Sequence, residues 1–292
     1  MQMITLENDY LSVNINPVGA ELTNLRDKRD GTEHMWSADP KFWPRRAPIL
    51  FPCVGESRDG KIQVDGTDYP MGRHGFTRLQ GFETVEQSAN KATLELTENE
   101  ETLKHYPFQF TFRITYALEG NSLIHQFEVI NSGEKQLGFQ LGGHPAFAVP
   151  FGENGVYSHY EIRFDQLITI DRHLLDANGL YNGETRNVLS DSDTIGLSYE
   201  LFNEDALVFK DIPSKQVWIQ HRNSGKRLQV DYEGFPHLGI WSKPGADYVC
   251  IEPWIGCADS ADQPADFFSK DRIVELGEGE IFSASFSVSL LA

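Results

Sequence analysis

Three short segments of the sequence place titratable side chains beside glycine, proline and aromatic residues. These segments are 71–78 (MGRHGFTR), 142–147 (GGHPAF) and 248–254 (YVCIEPW). Glycines on both sides of Arg73 and His74 allow the backbone to bend and bring both side chains close to a ligand. His144 follows a short apolar run, and Glu252 lies inside an otherwise apolar strand. These four residues are the first candidates for a functional site.

A histidine and a carboxylate together supply the two groups that general acid–base catalysis needs. At neutral pH a carboxylate is ionised and accepts a proton, whereas a histidine, with a pKa of about 6.5, can donate one. An unpaired carboxylate is costly to bury, so Glu252 among apolar neighbours favours either an edge position facing solvent or a functional role. Each histidine taken alone also fits an ordinary turn or packing role.

Hydrophobic residues alternate with polar residues over several stretches, which is the period of a half-buried β-strand. The clearest stretches are 108–116 (FQFTFRITY) and 282–290 (FSASFSVSL), with shorter ones at 11–15 and 127–129. Turn sequences such as Asn131-Ser132-Gly133 separate them. The pattern predicts an all-β fold of antiparallel strands. The serine-striped C-terminal strand is a candidate sheet edge that would pair in a dimer.

Helical patterns are short and few. Residues 99–106, which end before Pro107, and residues 265–270 are the stretches predicted to form brief helices. Without longer helices, βαβ units and a nucleotide-binding parallel sheet are disfavoured. No repeat, linker or change of composition marks a boundary, so we expect one domain over residues 1–292. The strand period alone leaves a sandwich and a barrel open.

The chain is strongly acidic, with 25 basic against 43 acidic residues and a net charge of −18. Such a surface repels polyanions at long range, so nucleic acids and anionic membranes are not expected as partners. The sequence shows no apolar run of membrane-spanning length and no secretory leader pattern, which predicts a cytoplasmic protein. The three cysteines, Cys53, Cys250 and Cys257, are predicted to be reduced and mostly buried.

Motifs for several other activities are absent from the sequence. There is no glycine-rich phosphate loop, no dinucleotide-binding fingerprint, no HExxH motif and no nucleophile elbow. The gap between Cys250 and Cys257 does not match structural zinc sites, and the nine histidines are scattered. The sequence therefore predicts neither a cofactor nor a metal.

In their order along the chain, the segments RHGF (73–76), GGHP (142–145) and IEPW (251–254) resemble those of the aldose 1-epimerase, or galactose mutarotase-like, family. The segments LFPCVG (50–55) and WSKPGA (241–246) resemble its LacX-like branch. The resemblance extends from the first strand to the last. It implies a large antiparallel β-sandwich, the galactose mutarotase-like supersandwich, and a cofactor-independent isomerase that interconverts the anomers of a hexose.

The resemblance also implies roles for individual residues. His144 corresponds to the general acid at the ring oxygen of a pyranose, and Glu252 corresponds to the general base at the anomeric hydroxyl. His74 corresponds to a residue that hydrogen-bonds the ring oxygen or an adjacent hydroxyl, and Asp205 to an aspartate that holds sugar hydroxyls. A nearby carboxylate, Asp205 or Glu252, is expected to raise the pKa of His144 and keep it protonated.

Aromatic residues complete the predicted sugar site. Trp241, Trp254 and Phe76 are expected to stack on the apolar face of a pyranose while polar groups bind its hydroxyls. Each of the three also suits a position in the hydrophobic core.

The arginine that typical galactose mutarotases carry before an Asp-Gly turn is missing here. Alignment on Asp65-Gly66 places Glu56 near that position, and Arg46 or Arg73 is the predicted replacement. Arg46, Arg73 and Arg78 would also provide a phosphate clamp. Hexose-6-phosphate 1-epimerase is therefore an alternative activity, which the convergence of two of these arginines in one pocket would favour.

Two further alternatives use the same residues differently. A carbohydrate-binding or sensing protein without turnover would need Trp241, Trp254 and Asp205, but not both His144 and Glu252. A glycosidase would need two carboxylates flanking the scissile bond, a role that Asp205 and Glu252 would fill. The expected partner in every case is a small sugar, and the chain is expected to be a monomer or a homodimer.

Overall fold

The computed structural model describes residues 2–151 and 155–291. Its strands are β1 (Ile4–Glu7), β2 (Leu11–Asn16), β3 (Glu21–Asp27), β4 (Ile49–Leu50), β5 (Lys61–Val64), β6 (Thr67–Pro70), β7 (Glu83–Gln87), β8 (Lys91–Thr97), β9 (Phe110–Glu119), β10 (Ser122–Asn131), β11 (Leu137–Phe139), β12 (Leu141–Gly143), β13 (Ala146–Ala148), β14 (Tyr160–Leu175), β15 (Tyr181–Gly196), β16 (Leu207–Phe209), β17 (Gln216–His221), β18 (Arg227–Asp231), β19 (His237–Trp241), β20 (Tyr248–Ile255), β21 (Val274–Leu276) and β22 (Ile281–Leu291). Short 3₁₀ helices lie at Arg58–Gly60, Thr77–Leu79, Thr102–Lys104, Tyr157–His159, Tyr199–Phe202 and Phe267–Ser269. The all-β prediction is confirmed.

Fifteen strands of the described ranges form one sheet. Its main order is β4-β12-β20-β19-β16-β14-β17-β18-β22-β10-β9-β8-β7; β13 also pairs with β20, and β15 with β14. Strands β1, β2 and β3 form a smaller sheet, and β5 with β6 and β11 with β21 form two-stranded pairs. The ladders of the large sheet are antiparallel, as predicted.

The large sheet folds back on itself. Phe51 directly follows β4, at one end of the strand order, yet its ring stacks on Phe112 of β9 with a centroid distance of 4.6 Å. Phe51 also packs edge-on against Tyr106, at 5.8 Å. Because β4 and β9 lie near opposite ends of the order, the two halves of the sheet face each other across a shared aromatic core. The predicted β-sandwich is confirmed, and a simple closed barrel is not formed.

The predicted alternation of buried and exposed residues is present in β9 and β22. Every second residue of β9 from Phe110 to Leu118 is buried. In β22 the residues Phe286, Val288 and Leu290 are buried, whereas the beginning of the strand is more open. The prediction that β22 forms a sheet edge is wrong, because it lies between β18 and β10.

The two predicted helices are shorter than expected. Only Thr102–Lys104 and Phe267–Ser269 are helical, each as a single 3₁₀ turn. Tyr106, which follows the first turn, is buried and donates a hydrogen bond to the carbonyl of Gly138 at 2.6 Å. Burial of this tyrosine pulls the chain into the core before another helical turn can form.

The three cysteines are buried free thiols, in agreement with the sequence analysis. Over residues 2–151 and 155–291, no helix has both the length and the apolar character needed to cross a membrane.

His125 on β10 is a polar residue in the core of the sandwich. Its ring stacks on Phe286 at 4.3 Å and meets the edge of Tyr116 at 4.8 Å. Neither ring nitrogen has a hydrogen-bond partner among the described residues. Burial therefore lowers the pKa of His125 to about 3.

We expect the substitution His125→Leu to make the folded protein less sensitive to acid. An unfolded histidine has a pKa of about 6.5, so below that pH the unfolded state binds the proton that folded His125 refuses. The wild type should lose up to about 1.4 kcal/mol of unfolding free energy per pH unit through this group as the pH falls below about 6.5. Urea unfolding of both proteins between about pH 7.5 and 5 measures the difference, and equal pH slopes would contradict the assignment.

Candidate active site

A cleft of about 950 Å³ contains most of the predicted site residues. Seven of the nine residues proposed from the sequence line it: His74, His144, Glu252, Arg73, Asp205, Trp241 and Trp254. They come from distant parts of the chain, and the sandwich brings them together.

Strand β20 positions Glu252 by its alternation. The strand is buried on both faces. Ile251 belongs to the main core, whereas Glu252 and Trp254 lie on the opposite face and line the cleft. Cys250 is on the same face as Glu252 but is buried in a small cluster with Trp36 and Tyr248. On the neighbouring strand β19, Gly239 is paired with Glu252, and a Cβ at Gly239 would lie 2.7 Å from the Trp254 ring. The wall of the cleft beside the Glu252 carboxylate is therefore packed so closely that position 239 has no room for a side chain.

His144 lies in the turn between β12 and β13, directly beside Glu252. Its Nε2 atom is 3.1 Å from Oε2 of Glu252. The two residues are 7% and 1% exposed. Trp43 stacks on the imidazole at a centroid distance of 4.9 Å, and Trp241 meets it edge-on at 5.9 Å. Both tryptophans line the cleft, and their rings cover part of the imidazole.

Burial is the main cause of the pKa shifts of His144 and Glu252. It lowers the pKa of His144 to about 3 and raises the pKa of Glu252 well above its usual range, with the charge of Asp205 acting in the same direction on Glu252. The expectation that a nearby carboxylate keeps His144 protonated is wrong, because loss of solvent outweighs the attraction. The distance of 3.1 Å between Nε2 of His144 and Oε2 of Glu252 also fits an ion pair. Both pKa shifts, however, favour a neutral imidazole beside a carboxylic acid.

His74 is presented to the cleft by a left-handed turn. His74 and Gly75 have φ angles of +64° and +70°. The backbone N–H of Gly55 donates to Nδ1 of His74 at 3.0 Å, so the neutral ring carries its proton on Nε2. Burial, followed by the charges of His144 and Arg78, lowers the pKa of His74 well below its usual value. His74 is therefore a neutral hydrogen-bond donor.

Asp205 lies across the cleft from the strand residues, at the end of the 3₁₀ turn Tyr199–Phe202. Its φ angle is +71°, and one of its carboxylate oxygens accepts the N–H of Ala206 at 2.8 Å. The second oxygen is free to accept hydrogen bonds from a ligand. Asp205 is exposed, in contrast to Glu252, so the two carboxylates differ in environment.

Two residues lie elsewhere than predicted. Phe76 is 7% exposed and packs against Phe51 and Tyr106 in the core, because the turn after His74 points its ring inward. The guanidinium of Arg46 donates to the carbonyls of Trp36 and Ser37 at 3.0 and 2.7 Å. Neither residue lines the cleft, so their assignment as sugar-binding residues is corrected.

Arginines do converge in the cleft, but Arg45 takes the place of Arg46. Arg73 donates to Glu56 at 3.0 Å, and Glu56 is the residue that alignment of the sequence places near the family's missing arginine. Arg78 is half-buried, and within the described ranges it makes no hydrogen bond or ion pair. Burial lowers the pKa of Arg78, and the positive charges of Arg45 and Arg73 lower it further. Three guanidinium groups thus share one region of an acidic protein.

Sequence reasoning missed Trp43 and Arg45, which both line the cleft. They lie three residues and one residue before Arg46, respectively, in the segment Trp43-Pro44-Arg45-Arg46. Neighbouring residues in an irregular segment point in different directions, and no period in the sequence shows which arginine enters a pocket. The presence of a tryptophan next to two arginines was the only available signal.

The fold and site together define a class of protein. The aldose 1-epimerase family matches residues 2–266 of this chain, and the chain belongs to that family. It is 32% identical over 297 aligned residues to the chromosomal protein LacX of Lactococcus lactis subsp. lactis, with 99% of each chain covered.

Solved structures agree with this placement. A galactose mutarotase related enzyme from Lactobacillus acidophilus superimposes with a TM-score of 0.95 at 33% identity, covering 100% of this chain and 98% of that one. A galactose mutarotase-like protein from Lactobacillus casei ATCC 334 gives a TM-score of 0.93 at 30% identity, covering 99% and 100%. The fold is therefore that of the galactose mutarotase-like proteins.

We expect the substitution Gly75→Ala to destabilise the protein by more than about 2 kcal/mol, because alanine is strained at positive φ and its Cβ would meet backbone. A Cβ at Gly75 would lie 2.1 Å from the carbonyl oxygen of Phe51. The control Gly72→Ala lies in the same turn, where a Cβ has nothing within 4 Å. Denaturant unfolding of both variants tests the prediction, and equal stabilities would contradict it.

Proposed function

We propose that this protein is an aldose 1-epimerase that interconverts the α and β anomers of a hexose by opening and closing its ring. The observation that carries the proposal is the His144–Glu252 pair, with Nε2 and Oε2 3.1 Å apart in the wall of the cleft. Ring opening needs one group that takes a proton from the anomeric hydroxyl and another that gives a proton to the ring oxygen. The pair supplies both groups side by side.

In the proposed reaction, the His144–Glu252 pair carries one exchangeable proton. The reactive form has a protonated His144 and an ionised Glu252. His144 gives its proton to the ring oxygen while Glu252 takes the proton of the anomeric hydroxyl, and the ring bond between C1 and the ring oxygen breaks. The pair is then a neutral imidazole beside a carboxylic acid, which is the form that burial favours. Rotation about C1–C2 and the reverse transfers close the other anomer.

Other residues of the cleft would position the sugar. His74, with its proton on Nε2, would donate to the ring oxygen or an adjacent hydroxyl. Asp205 would accept from sugar hydroxyls, and Trp241 or Trp254 would stack on the apolar face of the ring. A binding protein without turnover would have no use for a buried acid–base pair, which is costly to keep away from water. A cytoplasmic location remains part of the proposal.

The first test is polarimetry of freshly dissolved α-D-glucose and α-D-galactose. The wild type should accelerate equilibration, and Glu252→Gln and His144→Ala should each reduce the enzymatic rate by at least about 100-fold, because each removes one proton-transfer group. Glu83→Gln, on the exposed edge strand β7, is the matched control and should retain the wild-type rate. Absence of acceleration by the wild type with neutral and phosphorylated hexoses would refute the proposal.

A phosphorylated hexose is a second candidate substrate. The specific observation is Arg78, which lines the cleft beside Arg45 and Arg73 without an acceptor among the described residues. A phosphate group accepts several hydrogen bonds from guanidinium groups and would neutralise this region. The favoured activity would then be that of a hexose-6-phosphate 1-epimerase, with the same acid–base pair.

Comparison of α-D-glucose with α-D-glucose 6-phosphate distinguishes the two substrates. If the phosphate is bound by the arginines, Arg78→Met should lower kcat/KM for the phosphorylated sugar by about 10- to 100-fold, which is the loss of one charged hydrogen-bonding partner. The same substitution should leave kcat/KM for glucose nearly unchanged. Arg163→Met, at an exposed ion pair with Asp193, is the control. Equal losses for both sugars would argue against a phosphate site.

A further inference from the structure

Two groups of side chains in the described ranges bring one nitrogen, one sulfur and one oxygen atom together. The groups are His144 with Cys250 and Glu252, and His237 with Cys257 and Asp271. Within each group, the candidate ligand atoms lie within 4.8 Å of one another. Imidazole, thiolate and carboxylate are the ligands that zinc and related divalent cations take in proteins. The two groups differ in what else surrounds them.

In the group around His237 the carboxylate already has a cationic partner, although Nε2 of His237 itself has no hydrogen-bond partner among the described residues. Lys210 Nζ and Cys257 Sγ lie 2.8 and 3.2 Å from the same oxygen of Asp271. The N–H of Asp211 donates to Nδ1 of His237 at 3.0 Å, so the neutral ring keeps its proton on Nε2, the atom that faces Asp271. A cation would have to displace both an ammonium group and this proton. This group is an internal hydrogen-bond network, and we assign it no ligand.

The group around His144 has no such competitor. Nδ1 of His144 and Oε2 of Glu252 lack hydrogen-bond partners among the described residues, although both side chains are more than nine-tenths buried. No lysine or arginine pairs with this carboxylate in the described ranges. The charge of Asp205 acts on Glu252 and that of Arg78 acts on His144, so these two more distant charges oppose each other.

The strand geometry places the three ligand atoms together. Cys250 and Glu252 are two residues apart on β20 and therefore point to the same face. Nε2 of His144 is already 3.1 Å from Oε2 of Glu252. Ligand atoms around one zinc ion lie about 3 to 4 Å apart, given bond lengths of about 2.0–2.3 Å. The three ligand atoms, which lie within 4.8 Å of one another, must therefore move closer together to hold one ion.

We propose that His144, Cys250 and Glu252 form a binding site for a thiophilic divalent cation such as Zn²⁺, and that the bound cation excludes the sugar from the acid–base pair. Binding forms one bond each to nitrogen, sulfur and oxygen. It releases the thiol proton of Cys250 and the proton shared by His144 and Glu252. The binding half of this proposal is independent of the proposed function, whereas the inhibitory half rests on it.

Cobalt is the probe for the binding half, because a Co²⁺–thiolate bond gives a charge-transfer absorption that the metal alone does not show. The wild type and Cys257→Ser should show this absorption on titration with Co²⁺, and Zn²⁺ should displace it. Cys250→Ser and Cys250→Ala should lose it and bind at least about 10-fold more weakly. Circular dichroism and thermal unfolding identify any variant that fails to fold. Two different substitutions at Cys250 show whether a loss of the absorption comes from the missing thiol or from the particular replacement residue.

The outcomes separate the two halves. No thiolate absorption in the wild type, or an absorption lost in Cys257→Ser rather than in the Cys250 variants, overturns the site. Competitive inhibition of mutarotation by Zn²⁺ in the wild type and Cys257→Ser, weakened in Cys250→Ser, supports the exclusion of sugar. Cobalt binding through Cys250 without any effect of Zn²⁺ on turnover overturns that exclusion. Cobalt binding by a protein without mutarotase activity leaves the site standing and refutes the proposed function alone.

Discussion

The constraint on which the site depends is the burial of a carboxylate beside an imidazole in a wall made of backbone and aromatic rings. Three glycines make this wall possible. A Cβ at Gly142 or Gly239 would lie 2.6 or 2.7 Å from the Trp254 ring, and a Cβ at Gly143 would lie 2.7 Å from Phe286. Their bare backbones let β12, β19 and β20 close around Glu252. No lysine or arginine pairs with Glu252 in the described ranges, and burial instead raises the pKa of its carboxyl group, which favours the uncharged acid.

The aromatic core supports the same site from the other side. The carbonyl of Phe51 accepts a hydrogen bond from the Thr77 hydroxyl at 2.8 Å, and Phe76 packs into the core between them. The turn that carries His74 is thus attached to the chain segment where the two halves of the sandwich meet. The burial of Phe76 in the core thus helps to hold the turn that presents His74 to the cleft.

The fold could be predicted to the level of a large antiparallel β-sandwich, because the period of two in β9 and β22 depends only on local alternation. The order of the strands could not, because pairing of β22 with β10 and β18 joins segments far apart in the sequence. Motifs and the family resemblance pointed to His74, His144 and Glu252, which the structure places in the cleft, but not to Arg45. Phe76 and Arg46 were misplaced because motif proximity does not determine side-chain direction. The pKa of His144 was misjudged because the degree of burial, which decides it, is a property of the folded structure.

In the proposed cycle, the His144–Glu252 pair begins and ends with the same single exchangeable proton. After each ring closure His144 is again protonated and Glu252 ionised, so no exchange with a buffer is needed to reset the site. The pair therefore returns to the same protonation state whichever anomer is released. A solvent-filled path for proton return would therefore serve no purpose in this wall.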